Sequence, residues 1–386
     1  MSGHLAYSLF DYGKMIECEP RMSIYAEALR RAVTPGCTVI DLGASFGMFA
    51  LLACKYGAGK IIAIEPDPSI ELLMPLAKAN GCADRITVIR DMSTKYTPDA
   101  KADVIVSDCR GTVPLYKQHI ATLVDARARL LAPGGTLLPM RDTLRIALVR
   151  WPKSYRATER PWLVNKFDLD LRAGHRYASN TETKAYLKPR SLMSSAVSLA
   201  VLDYRSVTEP NLDQTVELSG DRDGRVDGLL IWFDAEIAEG LSYSNAPGQP
   251  ELVYGQLYLP LEHAPQLSKG QQIKARIRST LIDGEYIWNW DWQVHDVAGQ
   301  PIGGLTRQSS FLAGVHAPKA LGGVSNWHTP QLNDRIVLDR DCLALVGEGR
   351  TLDDIARSLQ ERHPGLLPTI KAARDHAARC LRRYAG

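Results

Sequence analysis

Short apolar runs alternate with helix-forming runs in the first part of the chain. Each apolar run includes or ends in a glycine or an acid, and these runs are residues 37–43, 60–67, 86–91 and 102–108. Residues 48–58 and 69–81 lie between them, and their apolar spacing with a closing glycine is typical of helices. Such alternation predicts a parallel sheet covered on both faces. We therefore assign residues 1–145 to an α/β domain, with its ligand at the carboxyl ends of the strands.

The pattern changes at about residue 150, where polar and apolar positions partly alternate and tryptophan and tyrosine become frequent. Turns containing glycine, proline and aspartate separate these runs, which is typical of antiparallel strands. Residues 146–305 are therefore predicted to form a β-barrel-like domain. Trp288, Trp290 and Trp292 alternate along one predicted strand and would share a face, where core packing is favoured over a stacking platform.

A small third module is predicted at the C-terminus. The stretch before it is rich in glycine, serine and proline, so residues 306–331 are predicted to be a linker. Residues 332–386 then combine a short apolar strand with two helical patterns, and predict a small α+β, winged-helix-like module. The strand and the two helical patterns are residues 335–339, 351–363 and 366–386.

Composition narrows the class of protein. Hydrophobic residues make up 45% and charged residues 23% of the 386 residues, which excludes a disordered chain and a collagen-like rod. The net charge of +3 is too balanced for us to expect a nucleic-acid partner. No apolar run approaches ~18 residues, and no secretory signal is evident, so neither a membrane span nor export is expected.

The cysteines and histidines also restrict the chemistry. Seven cysteines are scattered without a CxxC pair, and the nine histidines form no HExxH motif or cluster. They predict reduced thiols in a cytoplasmic protein and no metal site.

The end of the first predicted strand carries a candidate cofactor loop, which contains Asp41, Gly43, Ser45 and Gly47. Glycine lets the backbone turn sharply and approach a ligand without a Cβ clash. The next strand ends in Glu65, an acid placed to accept hydrogen bonds from ribose hydroxyls. The third strand is followed by the triplet Asp91, Met92 and Ser93. The loop lacks the GxGxxG fingerprint of dinucleotide sites, so S-adenosylmethionine (SAM) is favoured over NAD.

Several segments occur in the order found in protein arginine methyltransferases, a family that the chain resembles over residues 7–300 and most strongly before 145. The matching segments are Phe10 to Met15 with Arg21 and Tyr25, Asp41 to Gly47, Glu65, Ser107 to Gly111, and Leu131 to Gly135. The resemblance implies a class I, Rossmann-like SAM-dependent methyltransferase domain followed by a β-barrel. It also implies that Arg21 holds the methionine carboxylate, that Glu65 holds the ribose, and that residues 43–47 hold the methionine portion.

The chain departs from this family in the hairpin that receives the methyl acceptor. Members that methylate arginine carry two glutamates there, whereas this sequence has Asp108 and Lys117, and the Thr-His-Trp signature of the barrel falls on Leu252-Val253-Tyr254. Two like charges at ~4 Å repel by ~4 kcal/mol at an effective dielectric constant of about 20. Lys117 therefore disfavours a guanidinium as acceptor.

The candidate catalytic residues of this hairpin are Asp108, Arg110 and Lys117. Two cations and one acid suit an anionic or neutral acceptor, such as a carboxylate, phenol, amide or imidazole. Asp108 could be a general base or an orienting hydrogen-bond acceptor, and Arg110 could hold a carboxylate bidentately.

The C-terminal module resembles the PqqD-like peptide-recognition domain, in which a leader peptide adds a strand to a small sheet. The similarity rests on residues 332–339 and 345–356, including Thr351 as the cap of a helix. The alternative is a small winged-helix-like module for dimerisation or stability. The last predicted helix is basic and contains Lys371, Arg374, Arg379, Arg382 and Arg383. We interpret these residues as a solvated helix face in preference to a contact surface for an acidic leader or nucleic acid.

These observations lead to one main hypothesis and two alternatives. The main hypothesis is SAM-dependent O- or N-methylation of a side chain in a ribosomally synthesised precursor peptide, whose leader docks on residues 332–386. The first alternative is methylation of a small amino-acid or guanidino metabolite, with a purely structural C-terminal module. The second is a catalytically inactive SAM-fold binding protein. Dimerisation is common in the resembled family, which makes a homodimer one candidate assembly.

Overall fold

The computed structural model of the chain describes residues 7–314, residue 329 and residues 334–384. The described residues divide into two compact units, one formed by residues 7–314 and the other by residues 334–384. No helix among the described residues has both the length and the apolar character needed to cross a bilayer.

The first domain is built on a parallel sheet, as the sequence predicts. The sheet has five strands in the order β3-β2-β1-β4-β5. Its strands are β1 (Thr38–Leu42), β2 (Lys60–Ile64), β3 (Ile86–Ile89), β4 (Ala102–Ser107) and β5 (Leu131–Leu138). Its helices are α1 (Leu9–Glu17), α2 (Glu19–Ala32), α3 (Met48–Lys55), α4 (Leu73–Ala79) and α5 (His119–Arg129). Side chains such as those of Val39, Ile62 and Ile105 are fully or almost fully buried, because helices cover both faces of a parallel sheet.

The second domain is antiparallel, which confirms the prediction of a β-rich region. One sheet has the order β7-β13-β11-β6-β8, with β12 paired to β11, a second has the order β17-β16-β15-β9, and β10 pairs with β14. These strands are β6 (Arg141–Val149), β7 (Thr183–Ala185), β8 (Val197–Asp203), β9 (Leu212–Ser219), β10 (Gly224–Arg225), β11 (Gly228–Ala238), β12 (Leu241–Ser244), β13 (Gln256–Pro260), β14 (Gln266–Leu267), β15 (Gln272–Ile282), β16 (Glu285–His295) and β17 (Pro301–Ser309).

Short helices connect β6 to β7, namely α6 (Pro152–Ser154), α7 (Arg160–Leu163) and α8 (Arg172–Ala178). Strand β6 begins at Arg141, four residues before the boundary expected at 145, and it pairs with β8 and β11. The tryptophans of β16 lie in the core as predicted: Trp290 is fully buried, and its indole N–H donates to the carbonyl of Pro260 at 2.8 Å.

The stretch predicted as a linker begins as regular structure. Residues 301–309 form β17, which pairs with β16, and a 3₁₀ turn follows at Ser310–Ala313. The linker prediction is therefore wrong for residues 306–313, because pairing with β16 holds residues up to Ser309 in an edge strand although glycine and serine are frequent there. Residues 315–328 and 330–331 of the predicted linker lie outside the described residues.

The described part of the C-terminal unit is helical. It consists of α9 (Asp334–Gly347), α10 (Leu352–Arg362) and α11 (Ile370–Tyr384). The strand predicted at residues 335–339 is wrong: Leu338, Cys342 and Leu345 are buried together at spacings of four and three residues, which is one face of a helix. The winged-helix-like α+β architecture is not confirmed. The cap at Thr351 is confirmed, since its hydroxyl accepts from the Asp354 N–H.

Candidate active site

The loop between β1 and α3 forms the first half of the site. Gly43 has φ of +68° and Gly47 has φ of +90°, in the left-handed region that favours glycine. A Cβ at Gly43 would overlap the Sγ of Cys109, and one at Gly47 would overlap the Leu73 side chain. The glycines predicted from sequence are therefore required both by the turn and by the close packing around it.

Two buried polar atoms of this loop have no hydrogen-bond partner among the described residues. They are Oδ1 of Asp41 and Oγ of Ser45. The other carboxylate oxygen of Asp41 accepts from the Ala50 N–H at 2.9 Å, and burial raises the pKa of Asp41 to about 7. Unsatisfied buried polar atoms are costly, so this arrangement fits a site that holds a polar ligand.

Glu65 follows β2 and faces the same loop. Its two carboxylate oxygens accept the backbone N–H groups of Ser45 at 3.0 Å and Asp67 at 2.9 Å. Burial raises the pKa of Glu65, although these hydrogen bonds oppose the shift. The carboxylate is thus fixed beside the glycine loop, at the position where the sequence predicts a ribose partner.

The triplet after β3 has a different environment. The carboxylate of Asp91 pairs with the ammonium of Lys95 at 2.9 Å. Met92 is exposed and Ser93 is buried, where the Ser93 carbonyl accepts from Arg129 at 2.9 Å. The structure therefore places Asp91, Met92 and Ser93 at the carboxyl end of β3, as expected.

The N-terminal helices pack against the glycine loop. The ring of Tyr12 in α1 lies 5.4 Å from that of Phe46, and Tyr25 in α2 stacks on Phe49 at 4.6 Å. This packing brings Arg21 of α2 to the carboxyl edge of the sheet.

The second half of the site is a buried ion network formed by Arg21, Asp108, Arg110 and Asp142. Asp108 accepts from Nε of Arg21 at 2.5 Å and from Nη1 of Arg110 at 3.0 Å. Arg110 also forms a bidentate pair with Asp142, at 2.7 and 2.8 Å, and neither of these side chains is exposed. Buried charges of this kind require partners because transfer out of water is costly.

Four tyrosine hydroxyls surround the ion network. Tyr254 donates to Asp108 at 2.6 Å and lies 3.1 Å from the hydroxyl of Tyr243. Tyr25 accepts from Arg110 at 2.7 Å, and Tyr204 donates to Asp142 at 2.5 Å. These contacts hold each carboxylate in one orientation.

The protonation state of Asp108 follows from its neighbours. Burial alone would raise its pKa, but the guanidinium groups of Arg21 and Arg110 outweigh burial and hold the pKa below its usual range. Asp108 is therefore an ionised carboxylate at neutral pH, which suits orientation better than proton abstraction.

The three candidate catalytic residues are not all brought together. Asp108 and Arg110 are in contact, and the guanidinium of Arg110 is engaged by Asp142, Tyr25 and Asp108. Lys117 is exposed, has φ of +44°, and its ammonium lies 5.3 Å from the Tyr116 ring centre. The expectation that Arg110 is free to grip an external carboxylate therefore does not match its buried position.

Sequence reasoning missed Asp142, Tyr204 and Tyr243. Asp142 is the detectable one, since it is the one acid of a strand that ends in the apolar run 146–149, and a buried acid requires a partner. The tyrosines gave no comparable signal because their partners are distant in sequence. Tyr254 stood out only as a departure from the barrel signature.

Comparison with known proteins places the chain among methyltransferases. A family described as ribosomal protein L11 methyltransferase (PrmA) matches residues 21–139. An arginine N(omega)-methyltransferase of Streptomyces achromogenes subsp. streptozoticus is 27% identical over 269 residues, covering 68% of this chain and 74% of the relative. Protein arginine N-methyltransferase 1 of Dictyostelium discoideum is 23% identical over 287 residues, covering 72% and 84%.

Solved structures share the fold. The Trypanosoma brucei PRMT1 enzyme–prozyme heterotetrameric complex with AdoHcy superposes with a TM-score of 0.71 at 19% identity, covering 77% of this chain and 97% of that one. Arabidopsis thaliana protein arginine methyltransferase 10 superposes with a TM-score of 0.69 at 18% identity, covering 78% and 98%.

The fold and the glycine loop define a class I methyltransferase similar to protein arginine methyltransferases. The chain is a SAM-dependent methyltransferase.

Proposed function

We propose that this methyltransferase acts on a neutral or anionic acceptor, an oxygen or an uncharged nitrogen, rather than on a guanidinium. The observation that carries the proposal is the state of Asp108, whose charge is already compensated by Arg21 and Arg110. Lys117 stands where the arginine-methylating enzymes that the chain resembles carry their second glutamate.

The charges of the ion network argue against a cationic acceptor. Two arginines and two aspartates balance each other within it. A guanidinium added beside this balanced set would bring an unpaired charge to a buried place, which is strongly unfavourable. A neutral acceptor avoids that cost, and the charge of an anionic acceptor would be offset by the positive sulfonium of SAM.

The cofactor half would be held by residues of the glycine loop and its neighbours. By the resemblance, Arg21 would share its guanidinium between Asp108 and the methionine carboxylate, while Gly43, Ser45 and Gly47 would line the methionine portion. Asp41 would accept a hydrogen bond through its unpartnered Oδ1. Glu65 would hold the ribose, and the triplet Asp91, Met92 and Ser93 would lie beside the adenosine. When bound, SAM supplies an electrophilic methyl group on a sulfonium.

The chain's own residues would act by orientation. Asp108 remains ionised and accepts hydrogen bonds, so it fixes the hydroxyl of Tyr254 and any donor on the acceptor group. Arg110 is a positioning residue that acts through Asp108. Because methyl transfer is an in-line displacement, alignment of the reacting atoms can supply much of the rate.

The acceptor class is tested with a set of peptides that differ at one position only: arginine, glutamine, histidine, tyrosine or aspartate. We expect label from methyl-labelled SAM to enter a non-arginine peptide, and Lys117→Glu to increase transfer to the arginine peptide. Lys60→Glu is the matched control, because Lys60 is also an exposed lysine and begins β2, at the amino edge of the parallel sheet away from the glycine loop. Efficient methylation of arginine by the wild-type enzyme would contradict the proposal.

We further propose that the acceptor lies in a ribosomally synthesised precursor peptide whose leader docks on residues 332–386. The supporting observation is that this unit has its own hydrophobic core, which includes Leu338, Ile355 and Ala377. A separate domain that binds the leader raises the effective concentration of the modified segment. Docking would use helix surfaces, since the described residues of the unit contain no strand.

The name of the Streptomyces relative favours a second candidate, a small guanidino or amino-acid metabolite. Deletion of residues 316–386 separates the two, because residues 5–315 and the C-terminal unit have separate cores. For a precursor peptide we expect the KM to rise at least tenfold while SAM affinity is unchanged. An unchanged KM for full-length precursor excludes leader docking.

A homodimer is the assembly that we propose. The segment after α6 exposes several large apolar side chains, and Phe167 is 78% exposed. These residues are Trp162, Val164, Phe167 and Leu169. Since exposed apolar clusters mark interaction surfaces, we expect sedimentation to give a dimer and Phe167→Asp to give a monomer.

A further inference from the structure

A second charged feature lies in the β-rich domain, outside the ion network. It is an open cleft of about 460 Å³ whose charged lining residues are Arg150, Arg190, Arg222 and Asp223. We call it the arginine cleft. No role in cofactor binding or in methyl transfer accounts for it.

The backbone fixes the arginines of this cleft. Arg150 follows β6, and its N–H donates to the Ser191 carbonyl at 2.8 Å. The Nη2 group of Arg222 donates to the carbonyls of Arg190 at 2.8 Å and Leu192 at 2.9 Å. Arg222 is thereby held in place, and the segments that carry Arg150 and Arg190 are hydrogen-bonded to each other.

Two of the three guanidinium groups are available to a ligand. Arg150 and Arg190 are exposed, and within the described residues neither side chain has a hydrogen-bond or ion-pair partner. Asp223 adds one negative charge, but one of its oxygens accepts from the Lys269 N–H at 2.6 Å. The cleft therefore carries an excess of positive charge.

Two exposed arginines elsewhere in this unit are paired with an acid on the surface. Arg172 pairs with Asp170 at 2.8 Å, and Arg276 pairs with Asp213 at 2.6 Å. Arg150 and Arg190 have no such acid and line the same cavity, and this concentration of positive charge favours an anionic ligand.

We propose that the arginine cleft binds acidic side chains of the polypeptide substrate, an inference that rests on the proposed peptide acceptor. The planar fork of arginine matches a carboxylate bidentately. A nucleic-acid strand is disfavoured because no aromatic residue lines the cleft to stack a base.

The arginine cleft and the ion network that contains Asp108 lie at opposite ends of strand β6. Asp142, which pairs with Arg110, is near the start of β6, and Arg150 follows its last residue. Eight residues of strand span roughly 26 Å at ~3.3 Å per residue. An extended peptide has a similar rise, so the acidic residues should lie at least about eight positions from the methylated residue.

The test is a direct binding measurement without methyl transfer. A fluorescein-labelled peptide of alternating glutamate and glycine is titrated with the full chain, and fluorescence anisotropy gives the Kd. We expect Arg150→Ala/Arg190→Ala to raise the Kd about tenfold, which corresponds to ~1.4 kcal/mol. Arg307→Ala is the matched control, since Arg307 is an exposed arginine of β17 with no ion pair to a described residue.

Each outcome decides the proposal. Binding that is lost in the double variant, kept in Arg307→Ala and weakened by salt supports it. No binding of the acidic peptide, equal loss in both variants, or tighter binding of inorganic phosphate or an oligothymidine overturns it. A parallel SAM titration and a melting curve verify that each variant is folded. Because this assay contains no methyl acceptor, a negative result would contradict the arginine cleft proposal alone, and the acceptor class would still be tested by the methylation assay.

Discussion

The two halves of the site treat polar groups in opposite ways. In the glycine loop, Oδ1 of Asp41 and Oγ of Ser45 are buried without a described partner. In the ion network, Asp108 and Asp142 each contact an arginine and a tyrosine hydroxyl. The glycine loop can therefore receive the polar atoms of a ligand, whereas the charges of the ion network are already paired with each other without an acceptor.

This difference explains why chemistry can change on a constant scaffold. The loop depends on backbone conformation at Gly43 and Gly47, and those requirements are independent of the acceptor. The ion network depends on side chains from α2, the hairpin after β4, and β6, each of which can be replaced. A change of acceptor therefore requires only new side chains around Asp108.

The largest expected effect comes from breaking the closed half. Asp142→Asn would leave the guanidinium of Arg110 buried without its bidentate carboxylate, because both side chains are fully inaccessible. Removing one partner of a buried pair costs about 3–5 kcal/mol. Urea unfolding should show a loss of stability of that size.

The control for this variant is a pair with the same geometry at the surface. Asp213 also receives both Nε and Nη2 of one arginine, Arg276, at 2.8 and 2.6 Å, but the two side chains are 52% and 51% exposed. Asp213→Asn should therefore change stability little. Similar losses of folding stability for both variants would show that burial does not make the Arg110–Asp142 pair more important than the exposed pair.

Sequence patterns locate the strands around the glycine loop well, because the polar residues proposed for the cofactor lie at or near strand ends. Glu65 and Asp91 each follow or end an apolar run, and Asp41 lies one residue before the end of β1, so one pattern locates both the sheet edge and its polar groups. Asp108 is found in the same way. The four strands that carry them were all predicted.

The ion network is harder to predict because its partners are far apart in sequence. Arg21 reaches Asp108 across 87 positions, and Tyr254 reaches it across 146, so no local period reveals either contact. The C-terminal strand was mispredicted for a related reason. The run at 335–339 is too short to distinguish a strand from a buried helix turn, and only Cys342 and Leu345 complete the helical face.

A smaller effect is expected from a substitution in the glycine loop. Gly47→Ala places a Cβ at a φ of +90° and against Leu73. Strain of this kind costs about 1–3 kcal/mol, so we expect calorimetric titration to show SAM binding weakened roughly 10- to 100-fold.

Gly304→Ala is the matched control for the glycine loop. Gly304 lies in β17, and a Cβ there would meet no atom within 4 Å. SAM affinity should be unchanged in this variant. Equal affinity of Gly47→Ala and Gly304→Ala would remove the glycine loop from the cofactor site.

The smallest predicted effect concerns how folding stability depends on pH. His119, beside the ion network, and Asp41, in the glycine loop, should contribute to this dependence with opposite signs. Burial lowers the pKa of His119, whose ring lies 3.3 Å from the Tyr204 hydroxyl, to about 3. The unfolded chain binds a proton at His119 below about 6.5, so this residue's contribution to stability is lost as pH falls. The contribution of Asp41 is lost as pH rises towards its pKa of about 7, because the unfolded carboxyl already ionises near 4.

Each group would contribute a slope of at most about 1.4 kcal/mol per pH unit between pH 5 and pH 6. The measurement is urea unfolding at both pH values for the wild type, His119→Gln and Asp41→Asn. The stability difference between wild type and His119→Gln should increase from pH 5 to pH 6, and that between wild type and Asp41→Asn should decrease. Differences of the same sign would mean that burial does not separate the two halves, since an ionised Asp41 or a protonated His119 would then be tolerated inside the fold.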